Sequence, residues 1–188
     1  MKKLILIIVA LVLCANSATF AIGFDTGVEF ALSQANFKIK DSDINLDNEL
    51  GYGVGVSLKL NLPLVDVGPE LWYYRHTASD DNGNKIKSNS LDLPIVASYS
   101  ILGPLAIEAG PAFSLVSSAK YKYDDSSIDL GRVRPEMGYV VGLRLTIAKM
   151  LMISGRFNGC FSRQNVNFNS ETYDVRYNAW SVAVGAKF

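Results

Sequence analysis

Leu50-Gly51-Tyr52-Gly53-Val54-Gly55-Val56-Ser57-Leu58-Lys59-Leu60 is the stretch whose reading decides the fold. Its even positions are apolar, and its odd positions are glycine, serine or lysine. A period of two over this length assigns one residue set to each face of a strand, whereas an amphipathic helix spaces its apolar residues three and four apart. Seven further segments alternate in the same way, at about 22–32, 65–76, 90–99, 105–116, 133–146, 150–161 and 174–188. Strands of about ten residues match the ~9–11 residues with which a tilted strand crosses a bilayer.

The connections alternate in length. Long polar stretches fall at about 33–49, 77–89, 117–132 and 162–173, and short ones at about 61–64, 100–104 and 147–149. An even-stranded meander with both termini on one side puts every long loop at the opposite end, the asymmetry of outer-membrane barrels. Asn82-Gly83 suits a hairpin tip. The expected fold is therefore all-β: an eight-stranded antiparallel up-and-down transmembrane β-barrel over residues 22–188. One internal echo, Asp66-Val67-Gly68-Pro69-Glu70-Leu71 and Glu108-Ala109-Gly110-Pro111-Ala112-Phe113, suggests a shared bend. Proline in mid-strand removes a ladder donor, so bulges are expected at Pro69 and Pro111.

The amino terminus reads as an address. Lys2 and Lys3 precede an apolar run from Leu4 to Leu13, and small or polar residues continue to Ala21. These are the three regions of a secretory signal peptide, residues 1–21, with Thr19-Phe20-Ala21 as the cleavage site. Leu13 before Cys14 argues against lipidation, because lipid-modified cysteines follow a small residue. Removal of the signal leaves Cys160 alone and without a disulfide. Lys plus Arg equals Asp plus Glu, so no net charge points to nucleic acid.

Which face is wet follows from the charges. One face carries residues such as Phe30, Val54, Leu71, Leu93, Ile107, Val141, Ile153 and Val182, without charge in the strand bodies. The other carries Asp25, Glu29, Asp66, Glu70, Asp92, Glu108 and Glu136 against Lys59, Arg134, Arg144, Arg156 and Lys187. A soluble barrel with these charges inside and an apolar exterior would aggregate. In a membrane barrel they fill the narrow bore and must pair. The predicted lumen network is Lys59, Glu70, Glu108, Arg134, Glu136, Arg144 and Arg156. Gly51, Gly53, Gly55, Gly138, Gly142 and Gly185 are expected to make room for arginines crossing the bore. Tyr99, Phe161, Trp180 and Phe188 are candidates for interfacial aromatic girdles.

The closing stretch Trp180-Ser181-Val182-Ala183-Val184-Gly185-Ala186-Lys187-Phe188 resembles the carboxy-terminal assembly signal of outer-membrane barrels, with Trp180, Gly185 and Phe188 as its marks. Gly68-Pro69-Glu70-Leu71, Leu91-Asp92-Leu93-Pro94 and Glu108-Ala109-Gly110-Pro111 resemble the small outer-membrane β-barrel domain family of Gram-negative bacteria. The resemblance implies outer-membrane location, this topology and assembly by the barrel insertion machinery. It implies no single activity.

Catalytic and metal chemistry find little footing. His76, the only histidine, is expected at the outer rim near Ser90 and Asp92, a grouping suited to nucleophilic chemistry. Its lumen-side parity sets it apart from barrel lipid deacylases, which present catalytic residues to lipid. Asp41-Ser42-Asp43-Ile44-Asn45-Leu46-Asp47 begins like a calcium loop but lacks the glycine at the sixth place and the acid at the twelfth. Asp80, Asp81, Asp124 and Asp125 are scattered through other loops. No catalytic, cofactor or metal residue is assigned. The expected protein is a non-enzymatic barrel with a charge-paired lumen and outer loops for surface contact or envelope integrity. A narrow porin-like channel and a lipid-modifying barrel enzyme stand as alternatives. Expected partners are outer-membrane lipids, lipopolysaccharide and the insertion machinery, with the chain a monomer.

Overall fold

The computed structural model describes residues 23–39, 46–80, 85–123, 126–131, 136–148, 150–161, 164–168 and 171–188. Strands β1 (Phe24–Ile39), β3 (Leu50–Asn61), β4 (Asp66–Asp80), β5 (Lys85–Leu102), β6 (Leu105–Tyr123), β8 (Met137–Ile147), β9 (Leu151–Cys160) and β11 (Glu171–Lys187) pair antiparallel in chain order. β11 returns to β1 and closes an eight-stave barrel, in a ladder from Gly27 opposite Lys187 to Ile39 opposite Val175. Three short strands, β2 (Leu46–Asn48), β7 (Ser126–Gly131) and β10 (Gln164–Phe168), extend the long-loop end by pairing with β4, β6 and β11. Closure leaves no open edge among the eight, which strands in hydrocarbon require.

Several strands outrun their predicted ends: β1 continues to Ile39 and β6 to Tyr123. Above the bilayer both faces of a hairpin meet polar surroundings, so pairing persists where the apolar alternation stops.

The faces are inverted relative to a soluble protein. Phe30, Val54, Ile95, Leu143, Trp180 and Val182 are exposed, while Glu29, Lys59, Glu70, Glu108, Arg144 and Arg156 are buried inside. Only a membrane makes that exterior stable, and the barrel is transmembrane.

The expected bulges at Pro69 and Pro111 are absent. Pro69 faces Ile95 and Trp72 faces Asp92 in one unbroken register, and Pro111 opposite Tyr139 is flanked by equally regular pairs. The bend comes from the preceding glycines. A Cβ on Gly68 would lie 1.9 Å from the Leu58 carbonyl oxygen, and one on Gly110 the same distance from that of Ile95. The backbone there coils too tightly into its neighbour for any side chain, so the echo is a pair of glycine kinks. The β5–β6 hairpin carries its irregularities elsewhere, one at Ser100–Leu102 beside the turn and one within β6. Leu91 pairs with Val116 and Asp92 with Ser114, leaving Leu115 as the extra residue. Ser114 and Ser117 therefore both face the lumen, while Leu115 and Val116 both face lipid.

Candidate functional site: a plugged lumen

Inward parity on six staves brings six charged side chains to one level of the bore: Glu29 of β1, Lys59 of β3, Glu70 of β4, Glu108 of β6, Arg144 of β8 and Arg156 of β9. Arg156 grips Glu70 with both terminal nitrogens, at 2.5 and 3.1 Å, and donates through Nε to Glu108 at 3.0 Å. Arg144 donates to Glu29 at 2.9 Å, and its Nε lies 2.9 Å from Glu108. Lys59 donates to Glu108 and to Ser98, both at 2.7 Å, and lies 3.4 Å from Glu70. Ser154 completes Glu29 at 3.0 Å. Three carboxylates meet three cations, so the layer is neutral. Burial of charge is tolerable only with such pairing.

Above this layer the bore is filled by rings. Trp72 donates its indole N–H to Glu70 at 2.8 Å and turns its ring face to the Arg156 guanidinium, whose carbon is 5.5 Å from the ring centre. Tyr74 stacks on Trp72 at 5.3 Å, His76 follows at 5.7 Å, and Tyr177 meets His76 edge-on at 6.1 Å. Position i, i+2, i+4 on β4 sets the column, and β3 gives it space. A Cβ on Gly55 would lie 2.4 Å from the Trp72 ring, and one on Gly53 2.4 Å from that of Tyr74. The β3 glycines thus accommodate aromatic rings from the adjacent strand rather than crossing arginines. Gly142 does lie under Arg156, and Gly185 under Glu29.

The predicted network is placed in part. Lys59, Glu70, Glu108, Arg144 and Arg156 come together, and Glu29, read as lumen-facing but left out of that set, joins them. Glu136 does not. It precedes the first residue of β8, where a single backbone bond from Ser114 N–H to its carbonyl at 2.8 Å ends the pairing, and its side chain is exposed. Arg134 lies outside the described residues.

His76 also departs from expectation. It is buried within the bore, its register partner is Ser88, and its Nε2 is 2.9 Å from the Ser33 hydroxyl. Ser90 instead faces Tyr74 and donates to Asp92 at 3.3 Å. Of the aspartate-rich stretch, 41–45 lies outside the described residues, as do Asp81, Asp124 and Asp125. Among the described residues no cluster of metal-type ligands occurs.

On the short-turn side a vestibule of about 600 Å³ enters the barrel and ends on Lys59 and Arg144. Asp25 and Lys187 form an ion pair on its wall. The terminal segment lies here: Phe188 and Thr26 exchange backbone hydrogen bonds at 2.8 and 3.2 Å, so the last residue seals the seam. Outside, Trp180 packs on Phe157 at 4.7 Å, and Tyr139 packs on Phe161 at 5.3 Å, toward the long-loop end. Tyr99 is exposed toward the other end.

A closed eight-stave barrel with an apolar exterior and a buried ionic interior defines an integral outer-membrane protein. The sequence profile of the outer membrane protein beta-barrel domain matches residues 6–188, and the chain belongs to that family. No match is found among curated protein sequences. Among solved structures, the attachment invasion locus protein Ail of Yersinia pestis is similar at 12% identity and a TM-score of 0.57, over 87% of this chain and 98% of Ail. Neisserial surface protein A is similar at 15% identity and 0.57, over 88% of this chain and 97% of that one. A second Ail structure, in complex with the heparin analogue sucrose octasulfate, is similar at 12% identity and 0.56, over 89% of this chain and 100% of Ail. At these identities the likeness is one of fold.

Proposed function

We infer that this outer-membrane barrel is a closed, non-enzymatic element of the envelope, working through its outer loops and outer wall rather than through its bore. The observation that carries the reading is the neutral six-residue ionic layer, capped by the Trp72–Tyr74–His76–Tyr177 column. An eight-stranded barrel has room inside for little beyond its side chains. A solute would have to push through both filled layers in series, which argues against the narrow porin-like channel. The histidine is stacked and bonded inside the bore, out of reach of lipid substrates, which argues against a lipid-modifying enzyme. Residues 1–21 serve as a removable export signal, and Trp180, Gly185 and Phe188 serve as the signal read by the insertion machinery of a monomeric barrel. Surface contact by the long loops fits the protein's fold relatives, one of which, Ail, forms a complex with a heparin analogue.

Planar-bilayer recording of the purified barrel tests the plug. The expected trace is flat at neutral pH and ordinary salt. Steady openings of porin size would overturn the reading and put the channel in its place.

A further inference from the structure

Beyond the plugged bore, the outer wall of β4, β5 and β6 carries a second feature. On β5 the outward positions Leu91, Leu93, Ile95, Ala97, Tyr99 and Ile101 run from one membrane face to the other. At ~3.4 Å per residue and a tilt of ~40° they span about 26 Å, the height of an outer-membrane apolar band. One register row above Leu91, Asn89 lies between Arg75 of β4 and Ser118 of β6. There Tyr73 reaches up from the apolar band to donate to Asn89 at 3.0 Å. In the next row Lys87 stands directly opposite Lys120, and in the row after it Lys85 pairs with Lys122 in the backbone ladder.

Like charges directly across a ladder are destabilising. Their inward neighbours Tyr74, His76, Ser88, Ser90, Ser117 and Ala119 are buried, so parity aims Arg75, Lys87 and Lys120 out of the wall. None of those three makes an ion pair among the described residues. On its other side Lys120 stands directly opposite Asp129 of β7, so it is flanked in register by one lysine and one aspartate.

We propose that this basic face binds the phosphate groups of an outer-leaflet glycolipid. Depth decides the occupant. The side chains leave the barrel sideways, about 5–10 Å above the last lipid-facing row by the same rise and tilt, where phosphorylated headgroups abut the wall. A soluble polyanion approaching from the medium would meet the loops first. Each cation near an anionic membrane surface strengthens binding roughly fivefold, so removing Lys87 and Lys120 together should weaken it roughly 25-fold.

The test uses the full barrel in nanodiscs of neutral lipid doped with bisphosphorylated lipid A or its dephosphorylated form, with retained lipid counted by native mass spectrometry. Wild type should retain the phosphorylated form selectively. K87Q/K120Q should lose that preference and K87R/K120R should keep it. Equal retention of the two lipids by wild type, or undiminished selectivity in K87Q/K120Q, overturns the proposal. Tighter binding of inositol hexakisphosphate than of lipid A phosphate would assign the face to a soluble polyanion and likewise overturn it. Folding is checked by heat-modifiable gel mobility. If K87Q/K120Q does not assemble, R75Q and the wild-type lipid comparison decide.

Discussion

Replacing Arg156 by methionine isolates the energetics of the plug. Arg156 is 3% exposed and is the short-range partner of two glutamates. Without it, Glu70 keeps the Trp72 indole N–H at 2.8 Å and two cations, Lys59 and Arg144, each at 3.4 Å, while Glu108 retains Lys59 at 2.7 Å and Arg144 at 2.9 Å. The layer then holds three carboxylates and two cations, and the excess charge centres on Glu70, which is 1% exposed. Stranding a buried charge in this way costs about 3–5 kcal/mol. With a urea slope of roughly 2–2.5 kcal/mol/M, the unfolding midpoint in lipid vesicles should fall by roughly 1.2–2.5 M. Arg144→Met should cost less, because Arg144 borders the vestibule and water can reach the glutamates it leaves. The decisive measurement is the cycle with Glu70→Gln. Each single change unbalances the layer by one charge and the double change restores neutrality, so the coupling should exceed about 2 kcal/mol. Additivity within about 0.5 kcal/mol, the behaviour of independent sites, would refute the ionic layer as a unit.

Gly55→Ala should destabilise by about 1–3 kcal/mol in the same assay, because the new methyl would overlap the Trp72 ring; unchanged stability would mean the ring column is loose. Deleting Phe188 should leave unassembled protein for periplasmic proteases while wild type reaches the outer membrane, and normal heat-modifiable barrel from the deletion would contradict an assembly role. Mass spectrometry of protein from outer membranes should give Ile22 as the first residue; finding Met1, or lipid on Cys14, would exclude the export signal proposed for residues 1–21.

The staves were legible because a membrane barrel has a different solvent on each face, and residues 50–60 write that difference at every second position. Charge then told lumen from lipid, since Lys59, Glu70, Glu108, Arg144 and Arg156 share one parity with the glycines. Parity is a property of paired strand, however, and it misplaced Glu136, which stands one residue before its ladder begins. The bulge was misread for a related reason. A proline signals only a missing donor, which a regular ladder absorbs at Pro69 and Pro111 without inserting a residue. The signal that mattered was Ser114-Leu115-Val116-Ser117, where two consecutive apolar residues break the alternation and mark the extra one. The aromatic column was hidden because Tyr74 and His76 lie beyond the reach of a periodicity argument that treats every ring as a lipid-facing residue or a girdle. The three glycines opposite them were the available clue.

The seam between β1 and β11 joins the two ends of the chain. A polypeptide that arrives amino terminus first presents β1 long before its partner exists, and every unsatisfied backbone group placed in hydrocarbon costs several kcal/mol. No intermediate with seven staves in lipid is therefore cheap, and a chain cut short of β11 leaves β1 and β9 as two bare edges instead of a slightly smaller barrel.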